Sequence, residues 1–404
     1  MDMPVSDPSA DRELIHHPVA AWLIAHREGR LDLAGLLAGL SQRLCEGGLP
    51  ILRAVLGVRS MHPEVAGTNL MWSRGEVEIQ QLSRGYAMFG SPMYVNSPIR
   101  LIHEGANVIR RRLDVGEEAL EWPVLLDLKQ MGASDYVCFA IEQTGPQRDW
   151  ISFSTDRPGG FQPDDIALLE QLLPLVALRV ELESRYEAME TLLQTYLGEA
   201  AATRVLGGAV RRGEVVPIRA AVLLSDLRGF TAAVDRLPPE QVIDYLDDYF
   251  ELITRPIENA GGTVLKFIGD AVLAIFDADA GEEAACANAL EAAKRSLSTA
   301  RQVNPARIDL GLPAIRLGVA LHFGDLAFGN VGARDRLDFT VVGPAVNEIT
   351  RIEKLCKAIG RPLLVSSTFA GVLDSPQLTS VGFHPLRGLS EPQEIFGLLE
   401  EQPR

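Results

Sequence analysis

Three short stretches carry residues whose type and spacing can do chemistry. In the first, the apolar run Ala220–Leu224 (AAVLL) ends at Ser225-Asp226 and is followed by Leu227-Arg228-Gly229-Phe230-Thr231 and a segment rich in Val and Leu. A carboxylate at a strand end, ahead of a glycine turn into a helix N-terminus, sets a hard oxygen ligand beside free N–H groups able to face phosphate oxygens. Taken singly, Ser-Asp before a helix is often only a cap. In the second, Gly269-Asp270 lies between two apolar runs in Gly262–Phe276 (GTVLKFIGDAVLAIF), the pattern of a hairpin with an acidic tip. Alone, Asp270 is a turn residue; paired with Asp226 it adds the second oxygen ligand that Mg²⁺ or Mn²⁺ requires. In the third, IRLGVALHFGDLAFGNVG from Ile315 precedes LDFTVVGPAVNEITRIE from Leu337. There Asn347 and Arg351 stand at i and i+4, on one helix face. Such a pair is ordinarily solvated, and its position after a Gly-rich turn favours a functional reading.

Holding these groups together takes a strand, a hairpin, a strand pair and a helix, which is a mixed α/β domain. It fills only the C-terminal half, because 404 residues exceed one ordinary core and suggest two domains and a connector. The boundaries expected are 1–163 for an N-terminal domain, 164–213 for a helical linker and 214–404 for the chemistry-bearing domain. Upstream, Asp32–Cys45 has helical spacing and stops at Gly47-Gly48. Strands are expected at Ile51–Val58, Asn69–Trp72, Arg111–Val115, Tyr136–Glu142 and Trp150–Thr155, and helices at Ser97–His103 and Pro123–Met131. Thr144-Gly145-Pro146 is expected to turn between the last two strands. This order resembles a GAF-type α+β sensory domain, an antiparallel sheet with helices on one side, with PAS-like topology as the alternative. A long helix from Asp164 contains Pro174, where a kink is expected. Beyond it, Leu182, Tyr186, Met189, Leu193 and Tyr196 recur at spacings of four and three, as in a short coiled-coil seam or a helix packed on its own domain.

The segments SDLRGFT, LKFIGDAVLAIF, HFGDLAFGNVG and DFTVVGPAVNEITRIE resemble, in order and spacing, the signature blocks of class III adenylyl/guanylyl cyclases over roughly Ile218–Leu399. The resemblance implies a ferredoxin-like α/β fold acting as a homodimer, with sites built across the interface. It implies that Asp226, Asp270 and the Leu227 carbonyl bind two Mg²⁺ or Mn²⁺ ions. Backbone N–H groups of Leu227, Arg228, Gly229, Phe230 and Thr231 would cradle a triphosphate. Lys266 and Thr340 would read the purine, Asn347 would place the ribose, and Arg351 would stabilise charge at the α-phosphate. Arg387, in LRGLSEP, stands where the family more often has Lys, on the outer phosphates. Pro344 stands where an acidic residue is common and receives no role. The reaction implied is ATP to cyclic AMP and pyrophosphate, with regulation from the N-terminal domain. A guanylyl cyclase would carry an acidic residue and a small polar one in place of Lys266 and Thr340. A catalytically dead nucleotide-binding module would have lost an aspartate or the Asn/Arg pair.

Composition bounds the partners. With 47% hydrophobic and 23% charged residues the chain reads as folded and soluble, and its net charge of -16 disfavours nucleic acid. Cys45, Cys138, Cys286 and Cys356 show no metal or CxxC spacing and read as reduced thiols. The acidic first fifteen residues read as disordered and unlike a signal peptide, and no apolar run reaches a membrane span, so a cytoplasmic protein is expected. His16, His17, His62 and His103 read as surface or packing residues, and Trp72, Trp122 and Trp150 as core. A small ligand for the N-terminal domain is left open, and no organic cofactor is expected.

Overall fold

A computed structural model describes residues 17–25, 31–145 and 148–399. The expectations for the first fifteen residues, for His16 and for Pro146 lie outside or at the edge of these. The chain divides into two compact units, Met1–Leu192 and Leu193–Arg404.

The N-terminal unit contains α1 (Pro18–Ala25), α2 (Leu33–Glu46), β1 (Ile51–Arg59), β2 (Val65–Ser73) and β3 (Gln80–Gly85). It continues with α3 (Pro92–Val95), α4 (Pro98–His103), β4 (Val108–Arg112), α5 (Pro123–Gln130), β5 (Asp135–Glu142) and β6 (Arg148–Thr155). Asp32 caps α2 by accepting the Gly35 N–H at 2.7 Å. All six strands form one sheet, ordered β3-β2-β1-β6-β5-β4 and antiparallel throughout. Successive side chains of a strand point to opposite faces, so β5 feeds two cores. Val137, Phe139 and Ile141 pack with α1, α2 and the long helix α6 (Pro163–Leu197), while Tyr136, Cys138 and Ala140 pack with α4 and α5. Helices therefore cover both faces, which corrects the one-sided arrangement expected from element order. Two strands also differ from expectation. β4 lies over Val108–Arg112 rather than Arg111–Val115, and β3 (QQLSRG) had no signal because it is an almost wholly exposed edge without alternation. Helix α6 runs on through Pro174.

Asp149, at the start of β6, is 2% exposed and accepts the Arg59 N–H at 2.9 Å and the Gln143 amide. Burial pushes its carboxyl up to about 6 from 3.8. The native state thus holds this proton more tightly than the unfolded chain, so the contribution is full below about pH 4 and is lost as pH rises through 6. At most about 3 kcal/mol is involved. Asp149→Asn should gain on the wild type steadily between pH 4 and 7 in thermal melts; a pH-independent difference would contradict this.

The C-terminal unit contains α7 (Glu199–Leu206), β7 (Val215–Leu227), α8 (Phe230–Val234), α9 (Pro239–Asn259), β8 (Thr263–Ile268), β9 (Ala271–Asp277) and α10 (Glu282–Asp309). It ends with β10 (Leu317–Gly332), β11 (Leu337–Val342), α11 (Pro344–Ile359), β12 (Leu363–Ser366), α12 (Ser367–Leu373), β13 (Leu378–His384) and β14 (Gln393–Leu398). The four strands β10-β7-β9-β8 are adjacent in that order and enclose α9 and α10 in sequence, which is the βαββαβ ferredoxin-like arrangement. β12, β14 and β13 extend the sheet beyond β10, and β11 folds back on β10 as a hairpin. α9 and α10 cover one face through Tyr249, Ile253 and Leu297; α11 covers the other through Ile349, Ile352 and Cys356. Ala201 of α7 is buried in that second core. The four cysteines are free thiols, three of them buried.

Candidate active site

The acidic groups meet where β7 leaves the sheet. Asp226 pairs in register with Gly318 of β10 on one side and with Ala271 of β9 on the other, which brings Asp270 alongside. Gly229 then turns the chain with φ 79°, a left-handed conformation that favours glycine, and Phe230 starts α8. Not every amide of this loop is free. Leu227 N–H donates to the Asp270 carbonyl at 3.1 Å and Arg228 N–H to the Arg316 carbonyl at 2.8 Å. Of the five amides expected to face a triphosphate, those of Leu227 and Arg228 are therefore already engaged within the fold.

The Arg228 side chain has a part that its position in a loop did not suggest. Its Nε lies 3.1 Å from Asp226 Oδ1 and its Nη1 lies 3.3 Å from Glu353 Oε1 on α11. The guanidinium lies flat on Gly318, where a Cβ would stand only 1.8 Å from Nη2. Burial raises the Asp226 carboxyl, partly offset by Arg228, and the neighbouring Asp270 charge raises it further. Glu353 is pushed up to about 7, first by burial and next by the charge of Asp226. Asp226 Oδ1, Arg228 Nη2 and Glu353 Oε1 are all buried without a hydrogen-bond partner. Asp226 Oδ1 and Glu353 Oε1 are thus held only by their ion pairs with Arg228, and the fit to a hard divalent cation rests on the paired, mutually repelling oxygen ligands Asp226 and Asp270.

The second cluster lies at β8 and β11. Lys266 donates to Asp338 in an ion pair, with the carboxylate 58% exposed. Thr340 is two residues further along β11, hence on the same strand face, and its Oγ1 is buried with no partner.

The third cluster lies on α11 and the loop after β13. Pro344 is the first residue of α11, where its missing N–H costs nothing, so the position without an assigned role starts the helix. Asn347 is exposed and Arg351 half-buried on one side; Glu353 points about 200° away, toward Asp226. A Cβ on Gly388 would stand 3.3 Å from Arg351 Nη2, so Arg351 rests against the turn that carries the exposed Arg387. Among the described residues, no hydrogen bond or ion pair joins Asn347, Arg351 or Arg387 to Asp226 or Asp270. Sequence reasoning missed Glu353, Asp338 and Gly318. Glu353 and Asp338 lie inside the quoted blocks, two residues from Arg351 and Thr340, and that spacing was their only signal.

A ferredoxin-like sheet with paired strand-end carboxylates, a glycine turn and separated cationic groups defines a nucleotide-handling α/β domain. Residues 218–399 match the family described as adenylate and guanylate cyclase catalytic domain. The chain is 33% identical over 165 residues to an adenylate cyclase of Anabaena cylindrica, covering 40% of this chain and 32% of that one. It is 30% identical over 195 residues to adenylate cyclase 1 of Rhizobium meliloti, covering 47% and 28%. The crystal structure of the adenylyl cyclase CyaB from P. aeruginosa is 24% identical, with a TM-score of 0.44, over 47% of this chain and 97% of that one. The chain thus spans a minor part of the length of the two curated relatives. The family match lies within the C-terminal unit, over residues 218–399. No helix among the described residues is long and apolar enough to cross a membrane.

Proposed function

We propose that the chain converts ATP to 3′,5′-cyclic AMP and pyrophosphate at sites shared between two copies of residues 214–404. In this reading residues 1–163 regulate, 164–213 connect, and the protein acts in the cytoplasm, where ATP is available. The observation that carries the substrate choice is on β11. The unpartnered, buried Thr340 hydroxyl lies one strand repeat from the Asp338 that holds Lys266. Lys266 would donate to N1 of adenine, and Thr340 Oγ1 would accept from the exocyclic amine. Guanine carries a proton on N1 and an oxygen in place of that amine, which leaves polar groups unpaired.

Two divalent cations, Mg²⁺ or Mn²⁺, would be held by Asp226, Asp270 and the Leu227 carbonyl, and would supply the charge that acidifies the ribose 3′-hydroxyl and offsets the α-phosphate. The amides of Gly229, Phe230 and Thr231 bind the triphosphate. Asn347 orients the ribose, Arg351 offsets charge growing on the α-phosphate oxygens, and Arg387 holds the outer phosphates. The hydroxyl proton passes to solvent and pyrophosphate departs in line with the attacking oxygen.

Two observations support the homodimer. Among the described residues, no hydrogen bond or ion pair joins Asn347, Arg351 or Arg387 to Asp226 or Asp270, which suits a site completed by a second copy. Of the stripe Leu182, Tyr186, Met189, Leu193 and Tyr196, all but the half-buried Leu193 are exposed, which suits a seam between two chains better than packing within one.

Lys266→Glu combined with Thr340→Cys should lower ATP turnover and raise GTP turnover, shifting the ATP/GTP ratio by about a hundredfold. Cyclic nucleotide formation with Mn²⁺ and either substrate measures this. Equal rates on both purines in the unmodified protein would refute the assignment.

A further inference from the structure

The N-terminal unit contains a cavity of about 570 Å³, within the range of small-molecule sites. It lies on the α4/α5 face of the sheet, under the segment from β3 to α4. Trp150, expected to fill the core, forms part of its wall, and its indole lies on Gly57, where a Cβ would stand 2.1 Å from the ring. Met71, Met88, Met93 and Ile99 supply further apolar surface, and methionines adapt readily to an irregular guest.

The polar lining is unbalanced. Arg53, Arg84 and Asp127 are its charged members, an excess of one positive charge. Arg84 already donates to the Met93 sulfur at 3.4 Å. The Arg53 side chain makes no hydrogen bond or ion pair among the described residues, and its Nε is cut off from solvent without a partner. Burial accordingly pulls its pKa below the usual value, with Tyr136 and Asp127 offsetting only part of the effect. A guanidinium held in an apolar-walled cavity without a direct ion pair, only the more distant charges of Asp127 and Glu76, is costly unless a ligand supplies a closer counter-ion. Ser152 and Ser154 line the same cavity and add hydroxyls beside it.

We infer that this cavity binds an amphipathic small molecule with one anionic head, a carboxylate or a phosphate, which pairs with Arg53 while its apolar body lies against the methionines and Trp150. Calorimetric titration of the full chain with decanoate, decyl phosphate and decanol tests this, and the first two distinguish the head groups. At least one anion should bind about tenfold or more tighter than decanol, as expected for a charge-assisted pair with Arg. Arg53→Gln should bring the anion and decanol within about twofold of each other, and Ile99→Trp should abolish binding of all three by filling the cavity. Should Arg53→Gln fail to fold, the wild-type preference for an anion over decanol still decides. The inference is overturned if decanol binds as tightly as both anions, if none of the three binds, or if Ile99→Trp leaves anion binding intact. Binding is read directly, so a negative result would leave the cyclase assignment untouched.

Discussion

Mixing two inactive variants, Asp226→Ala and Arg351→Ala, should restore about a quarter of the wild-type rate. In the proposed homodimer Asp226→Ala would remove a cation ligand from both sites and should leave no measurable activity. Arg351→Ala removes a partner of the α-phosphate and should cost roughly 10²–10³-fold. In a mixed dimer both defects fall in one site. The other site takes its aspartates from the Arg351→Ala chain and its arginine from the Asp226→Ala chain, and is intact. Free exchange makes about half the dimers mixed, each with one good site of two, which gives the quarter. Exchange demonstrated by a size or fluorescence tag, with no recovered activity, would mean that each chain builds its site alone.

The second large effect comes from a position with no side chain. Gly318→Ala places a methyl where the Arg228 guanidinium lies, 1.8 Å from Nη2. The clash is with the far end of a flexible side chain, so the fold should survive with little change in melting temperature. Arg228 must swing away, however, and leave Asp226 and Glu353 facing each other without the cation between them. Two partly buried carboxyls then compete for one proton, and the Asp226 geometry is lost. Activity should fall about tenfold to a hundredfold, to the level of Arg228→Ala. Since both changes remove the same interaction, the double variant should be no worse than either alone. Additive losses, or a Gly318→Ala chain that melts much earlier, would show that Gly318 acts through packing.

The contrast between what could and could not be read from the sequence follows from these residues. Asp226, Asp270, Asn347 and Arg351 stand out because turns and strand ends give a polar residue a recognisable frame. The ferredoxin-like fold was implied by the resemblance of these blocks to the cyclase family, whereas the periodicity of each element identifies the element and not its place in the sheet. Glu353 and Asp338 have no such frame. Each became visible only when folding set α11 across β7 and β11 beside β8. Gly318 is one glycine in an apolar run, and its use depends on strand register, which a single sequence leaves open. In the N-terminal unit the helical coverage of the second face went unread for a similar reason. Strand β5 is apolar on both sides, so alternation could not say that two layers needed covers.

If Lys266 reads the purine as proposed, its ion pair with Asp338 makes nucleotide recognition an exchange of partners rather than the filling of a vacancy. An ammonium already holding a carboxylate gives up or shares that contact only for an acceptor of comparable strength, and the measured affinity for a purine is the difference between the two. Asp338 is well exposed, so added salt weakens its hold on the lysine more than it weakens a contact shielded beneath a bound base. On the proposed reading, raising ionic strength would act on this site in two opposed directions, loosening the attraction for the triphosphate while releasing the lysine proposed to read the base. On that reading the same tether would hold Lys266 in one orientation, so that an incoming nucleotide would meet a donor already aimed.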